Sequence, residues 1–298
     1  MRPIEAVAST TLNVVSRVSG PLAGAGAFSL FHMPFVRSKL RSSERELFAQ
    51  AEVERLPAAD GKQAVVYRWG DGSRPVLLVH GWQSRGSRLA AFVQPLLDQG
   101  HSVITFDAPG HGDAAGRSTT ILDYRAVITA LHDKYGTFDA LIAHSLGVLA
   151  SFFALTRGAK AEKVVAISPV CDFEYLIGEF FTELRLRDAL QGRLRDQIAK
   201  NLFPDLPAER MPFSVTHATE HVTAPVLVIH DEGDTRIEIA QGRRIVTAFG
   251  DQAQLVTTTE LGHRRILSDA AVVRTAVDFV RSGPSSVGAD EVRLASAE

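Results

Sequence analysis

Apolar positions along the chain fall into two alternating rhythms. Short unbroken apolar runs recur at Pro75-Val76-Leu77-Leu78-Val79, Val103-Ile104-Thr105-Phe106, Phe138 to Ala143, Lys163-Val164-Val165-Ala166-Ile167 and Pro225-Val226-Leu227-Val228-Ile229. Runs of this length without polar alternation predict strands buried on both faces. Between them the apolar spacing is helical. Leu89, Phe92, Val93, Leu96 and Leu97 share one helical face, although Pro95 interrupts it. Helices are also predicted over about 120–134, from Leu146 to Leu155, near 237–249 and near 269–282, with a strand near 253–259. Ala64 to Trp69 reads as a strand closed by the Gly70-Asp71-Gly72 turn. Strands alternating with helices imply an α/β fold, a mostly parallel sheet flanked by helices on both faces.

Two segments depart from this alternation. Phe173, Tyr175, Leu176, Phe180, Phe181, Leu184, Leu186, Leu190, Leu194 and Ile198 give an apolar side to helices but mark no strand, so 171–224 is expected to form a helical cap above the sheet. Before Gln63 lies an arm, residues 1–62, in which Ser43 and Glu46 form a capping-box pattern ahead of Leu47, Phe48 and Ala51. Pro21 to Val36 is mostly apolar, yet Gly24, Gly26, His32 and Pro34 break it, so it is too short and interrupted for a transmembrane helix. Arg37, Lys39 and Arg41 follow and leave a membrane-surface contact open, but packing of the arm on the main domain is the expectation. The core is assigned to 63–170 and 225–282, and the small, polar stretch 283–298 to a disordered tail.

Composition narrows the classes. Hydrophobic residues are 45% of 298 and charged residues 22%, which is globular. The net charge of -2 supplies no basic excess for nucleic acid. A single cysteine, Cys171, excludes an internal disulfide and a cysteine-rich zinc site, and the chain reads as cytoplasmic. No leader pattern opens it, and no stable membrane insertion is expected. The arm leaves three roles open: extending the sheet side, covering a pocket, or homo-oligomerisation.

The strongest chemical signal is Ala143-His144-Ser145-Leu146-Gly147, which joins a predicted strand to a predicted helix. A turn this sharp demands small residues two positions either side of its apex, here Ala143 and Gly147. It would hold the Ser145 hydroxyl above the carboxyl edge of the sheet, at a helix N-terminus that favours developing negative charge. A serine nucleophile needs a base, and the base an orienting acid. His263 follows the last predicted core strand, and Asp234 follows the preceding one in Asp231-Glu232-Gly233-Asp234. Asp231 is the rival acid and sits closer to the strand end. Two N–H groups are needed for an oxyanion. Leu146, directly after the serine, offers one, and Trp82 in His80-Gly81-Trp82-Gln83 the other, with the Trp82 indole lining the pocket. Phe173 and Phe180 are further pocket candidates. His80, His144, His230 and His111 are expected to be structural or pocket-lining, and Asp107 to hold its own loop. These side chains lack metal-ligand spacing, so neither a metal nor another cofactor is expected.

Together Val79-His80-Gly81-Trp82, Phe106-Asp107-Ala108-Pro109-Gly110-His111-Gly112, Ala143-His144-Ser145-Leu146-Gly147, the Asp234 loop and Gly262-His263 resemble the α/β-hydrolase superfamily. More narrowly they resemble its bacterial serine esterase and lipase-like members. The likeness runs from about Gln63 to Arg281. It departs at Ala143, where many members have glycine, and in the single glycine of the His80-Gly81-Trp82 loop. The resemblance implies a serine hydrolase that cleaves small or medium acyl esters through an acyl-enzyme, with Ser145, Asp234 and His263 catalytic. Serine rather than aspartate at the apex argues against relatives that open epoxides or cleave carbon–halogen bonds. Two alternatives stand beside it: a non-catalytic ligand-binding protein on the same scaffold, and an acyltransferase or thioesterase using the same triad.

Overall fold

A computed structural model of the chain describes residues 3–205, 213–282 and 292–294. The chain begins with three helices, α1 (Pro3–Val18), α2 (Gly20–Phe31) and α3 (Ser42–Ala49). Strands β1 (Glu52–Pro57), β2 (Gln63–Trp69) and β3 (Pro75–Val79) follow. Then come α4 (Val93–Asp98), β4 (Ser102–Asp107), α5 (Ile121–Tyr135), β5 (Ala140–His144), α6 (Leu146–Leu155) and β6 (Val164–Ile167). Helices α7 (Phe173–Leu184) and α8 (Gln191–Leu202) stand between β6 and β7 (Val226–Asp231). The chain continues through α9 (Ile239–Phe249), β8 (Ala253–Thr258), α10 (Gly262–Arg265), α11 (Ala270–Arg281) and β9 (Val292–Arg293).

The strands form one nine-stranded sheet in the order β1-β2-β4-β3-β5-β6-β7-β8-β9. Pairings β1–β2 and β2–β4 are antiparallel, and all others are parallel. The period of two along each strand divides the core. Leu77, Val79, Leu141, Ala143, Val164 and Val228 face one layer, with α5, α6, α9 and the α7–α8 segment. Val76, Leu78, Ile142, Val165 and Ile229 face the other, with α4 and α11. That two-sided burial is why these strands carry no polar alternation.

Away from the serine turn, the structure differs from the sequence reading in several elements. No strand was expected before residue 63, yet β1 pairs along the edge with β2 from Glu52↔Arg68 to Pro57↔Gln63. Its side chains are largely exposed, so it lacks the apolar signature of the inner strands. The capping box of α3 uses Glu44, whose carboxylate accepts the Arg41 N–H at 2.9 Å, and not Ser43 with Glu46. Glu44 is recruited because it is buried against Ser87 and Arg88. The helix expected around Leu89 starts as a 3₁₀ turn over Gly86–Phe92, and α4 follows. Pro95 then falls in the first turn of α4, where its missing N–H costs nothing. In the expected tail, Val292 and Arg293 pair with Val256 and Thr257, while 283–291 and 295–298 lie outside the described residues.

The glycines of the arm explain its broken apolar run. A Cβ on Gly24 would meet the Arg193 Cβ at 2.9 Å, and one on Gly26 would meet Leu12 Cδ2 at 2.9 Å. Small residues let α2 lie close on α8 and α1. Asn13 ties α1 to the end of α7, donating to the Arg185 carbonyl at 3.1 Å and accepting from the Arg187 N–H at 3.0 Å. Arg37 turns inward and donates to the carbonyls of Gly112, Ala114 and Gly116. Among the described residues, no helix is long and apolar enough to cross a membrane.

Candidate active site

Ser145 sits at the junction of β5 and α6 with φ 57° and ψ -125°. This conformation is strained for any residue with a side chain, by about 1–3 kcal/mol, and persists only where the surroundings enforce it. They do so here. The Ser145 N–H donates to the Ile167 carbonyl at 3.0 Å, and the Ser145 carbonyl accepts from Val148 and Val170 at 3.0 and 3.3 Å. A Cβ on Gly147 would stand 2.6 Å from the His80 carbonyl oxygen, so only glycine lets α6 leave the turn beneath that loop.

His263 lies in the short helix α10, where a loop was expected. Its Nδ1–H donates to Asp234 Oδ2 at 2.8 Å. Burial pushes the Asp234 carboxyl upward. The His263 hydrogen bond and charge, with the N–H groups of Ile237 and Arg236, outweigh it and hold the group at about 2. Asp231 is used elsewhere. Its carboxylate accepts from the Thr258 hydroxyl at 2.8 Å, the Leu261 N–H at 3.0 Å and the Gly233 N–H at 3.0 Å. It thereby pins the loop leading to His263. His230 Nε2 approaches Asp234 only to 3.6 Å and donates instead to the Ile237 carbonyl at 3.0 Å.

The His80–Gln83 loop is braced from two sides. His80 Nε2 accepts the Ala108 N–H at 3.1 Å, which leaves the proton on Nδ1, directed to the Gly81 carbonyl at 2.7 Å. His111 Nε2 accepts the Gln83 N–H at 3.1 Å, and its Nδ1–H donates to the Pro109 carbonyl. Burial pushes His80 down to about 4 and His111 to about 3, so both rings are neutral braces. Beneath them Asp107 accepts from the Gly86 and Asp113 N–H groups, Tyr67 and Arg85. Arg85 also bonds Asp113, so the one fully buried arginine among the described residues is doubly compensated. Trp82 is thereby carried to the cavity beside Ser145. The N–H of Leu146 is in the first turn of α6 and has no acceptor within the helix.

Ser145, Leu146, His263 and Trp82 line one cavity of about 930 Å³. Phe173, Leu176 and Phe180 of α7 supply one wall, and Ile237 lies nearby. The arm contributes as well, through residues that the sequence did not single out as pocket candidates: Phe31, His32 and Val36 line the same cavity. Phe31 packs against Phe173 and Phe180 with ring centroids 5.7 and 5.1 Å apart. The apolar run of α2 signals packing, but nothing local says against what. Cys171 is buried, and burial pushes its thiol up to about 11, which leaves it unreactive. No group of three or more metal-ligating side chains converges among the described residues.

A hydroxyl at a strained turn, a histidine held by a carboxylate and a braced loop packed beside the serine form a set able to perform nucleophilic acyl chemistry. Comparisons with known proteins agree with that architecture. The model of the alpha/beta hydrolase family matches residues 76–276. A dihydrolipoyllysine-residue acetyltransferase component of the acetoin cleaving system of Cupriavidus necator is 29% identical over 236 residues, 74% of this chain and 62% of that protein. A non-heme chloroperoxidase of Kitasatospora aureofaciens is 32% identical over 95 residues, 30% of this chain and 33% of that protein. The chain thus spans less than two thirds of either relative. Among solved structures, the Pyrococcus furiosus esterase Pf2001 superposes with a TM-score of 0.61 at 20% identity, over 82% of this chain and 97% of that one. An esterase from Exiguobacterium antarcticum superposes with a TM-score of 0.57 at 17% identity, over 78% and 100%. At these identities the two structures share the fold.

Proposed function

Since this chain belongs to the alpha/beta hydrolase family, we propose that it is a serine hydrolase cleaving carboxylic esters of small or medium acyl chains. The observation that carries this reading is the 2.8 Å bond from His263 Nδ1–H to Asp234 Oδ2, with His263 and Ser145 lining one cavity. Ser145 Oγ attacks the acyl carbon while His263 Nε2 takes the hydroxyl proton. Asp234 keeps the His263 proton on Nδ1 and stabilises the imidazolium that forms. The N–H groups of Trp82 and Leu146 receive the oxyanion. The tetrahedral intermediate collapses, His263 returns the proton to the leaving alcohol, and an acyl-enzyme remains. Water, deprotonated by His263, then releases the acid and restores Ser145. The aromatic wall of Phe173 and Phe180 suits the acyl chain, and the reaction needs no cofactor.

A panel of p-nitrophenyl esters on wild type and Ser145→Ala tests this. Turnover should fall by orders of magnitude in the variant. Equal rates would sink the assignment. Clean labelling of Ser145 by a fluorophosphonate separates a hydrolase from an inert binding protein. The acetyltransferase name of the Cupriavidus necator relative favours a second reading, acyl transfer to a thiol. The same acyl-enzyme serves both, and product analysis with competing thiol and alcohol acceptors distinguishes them.

A further inference from the structure

His144 precedes Ser145 at the end of β5 and is buried. Its Nε2 lies 2.9 Å from the backbone oxygen of His263, a residue 119 positions away in the chain. A carbonyl only accepts, so Nε2 carries the proton and donates it. Burial, with His263 alongside, pushes His144 down to about 3, so the ring is neutral and its Nδ1 is a bare lone pair. That Nδ1 is buried without a hydrogen-bond partner. A phenylalanine would fill this volume without leaving a lone pair unsatisfied. What it cannot offer is an N–H for the His263 carbonyl. The two imidazoles also stack, with centroids 4.6 Å apart and planes at 44°.

Asp231 pins the loop before His263 only as far as Leu261. His263 sits on a four-residue helix that starts at Gly262, itself at φ 60°. Asp234 fixes its ring at Nδ1, but one hydrogen bond leaves the ring free to pivot about that point. A second anchor on the main chain removes the pivot. We propose that His144 is a positioning residue, whose Nε2–H holds the His263 backbone so that the His263 ring presents Nε2 to Ser145. This rests on the reading of Ser145, Asp234 and His263 as a triad. It couples the serine turn directly to the base, so that one residue of the elbow sets the geometry of both.

The test compares His144→Phe, His144→Gln and His144→Asn with wild type on a p-nitrophenyl ester, with Ser145→Ala as control. A glutamine amide reaches the position of the ring Nε2, and an asparagine amide stops short of it. His144→Phe and His144→Asn should lose at least about tenfold in kcat with KM nearly unchanged, because misplaced groups slow the step without weakening binding. His144→Gln should recover most of it. The His263 Nδ1 proton, followed by NMR, should persist in the glutamine variant and broaden in the other two. Wild-type kcat in His144→Phe, or equal losses in the glutamine and asparagine variants, would overturn the proposal. If the phenylalanine variant fails to fold, the glutamine–asparagine contrast still decides it. Full activity in Ser145→Ala would instead remove the triad reading, and the positioning role with it.

Discussion

Gly81 passes so close to Ser145 that a Cβ at position 81 would stand 2.8 Å from the Ser145 Cβ and 3.0 Å from the His144 carbonyl oxygen. The loop that carries Trp82 is therefore packed directly against the serine turn at a glycine. Gly81→Ala must push the two apart. The expected result is a loss of about a hundredfold in kcat/KM, since displacements near 1 Å cost that much. Ester kinetics at matched folded fractions measure it.

Asp234 and Asp231 should separate by kind of damage. Asp234→Asn removes the acceptor that keeps the His263 proton on Nδ1, and kcat should fall by up to about 10⁴. Asp231→Asn breaks the bonds to Thr258 and Leu261 that shape the loop. Its main effect should be a lower melting temperature. Paired activity and thermal unfolding measurements check the contrast, and the reverse pattern would exchange the two roles.

Gly112 has φ 44°, and a Cβ there would lie 1.9 Å from Asp107 Oδ2. Gly136 has φ 79° but no atom within 4 Å of its Cβ position. Gly136→Ala should thus cost only backbone strain, about 1–3 kcal/mol, whereas Gly112→Ala adds to that strain a clash with the Arg85–Asp107 pair and should cost more. Denaturant unfolding of the two variants gives the difference.

Acid should destabilise the protein before its carboxylates titrate. His80, His111 and His144 are held neutral by burial at about 4, 3 and 3, against an unfolded value near 6.5. The unfolded chain therefore binds protons first as pH falls. The stability from these groups is whole above about 6.5 and is lost as pH drops toward 4, by at most about 1.4 kcal/mol per histidine per pH unit. Melting temperatures should fall steadily from pH 7 to 5. A flat profile would mean the rings are protonated in the folded state.

Phe31 reaches the cavity from the arm and meets Phe173 and Phe180 of α7. Phe31→Ala should raise KM for longer acyl chains while leaving acetate and propionate esters nearly unaffected. A chain-length series measures it, and a uniform change across the series would count against an acyl contact.

Much of this molecule was legible in the residues themselves. The unbroken runs at Val76–Val79, Val164–Ile167 and Val226–Ile229 marked inner strands, because a strand covered on both faces has no polar side. Small residues at Ala143 and Gly147 marked the serine turn, because a tight turn excludes anything larger. Those are local demands, written in neighbouring residues. Edge strand β1 was not legible, since its exposed side chains obey no apolar pattern. The spacing favoured Asp234 over its rival Asp231, but the bond that distinguishes the two carboxylates, the 2.8 Å approach of His263 to Asp234, is made across separate loops. The placement of Phe31 beside Phe173, and of the His144 N–H on the His263 carbonyl, joins parts of the chain more than a hundred residues apart. Such contacts depend on where the sheet brings separate elements together. Only the tertiary structure could decide them.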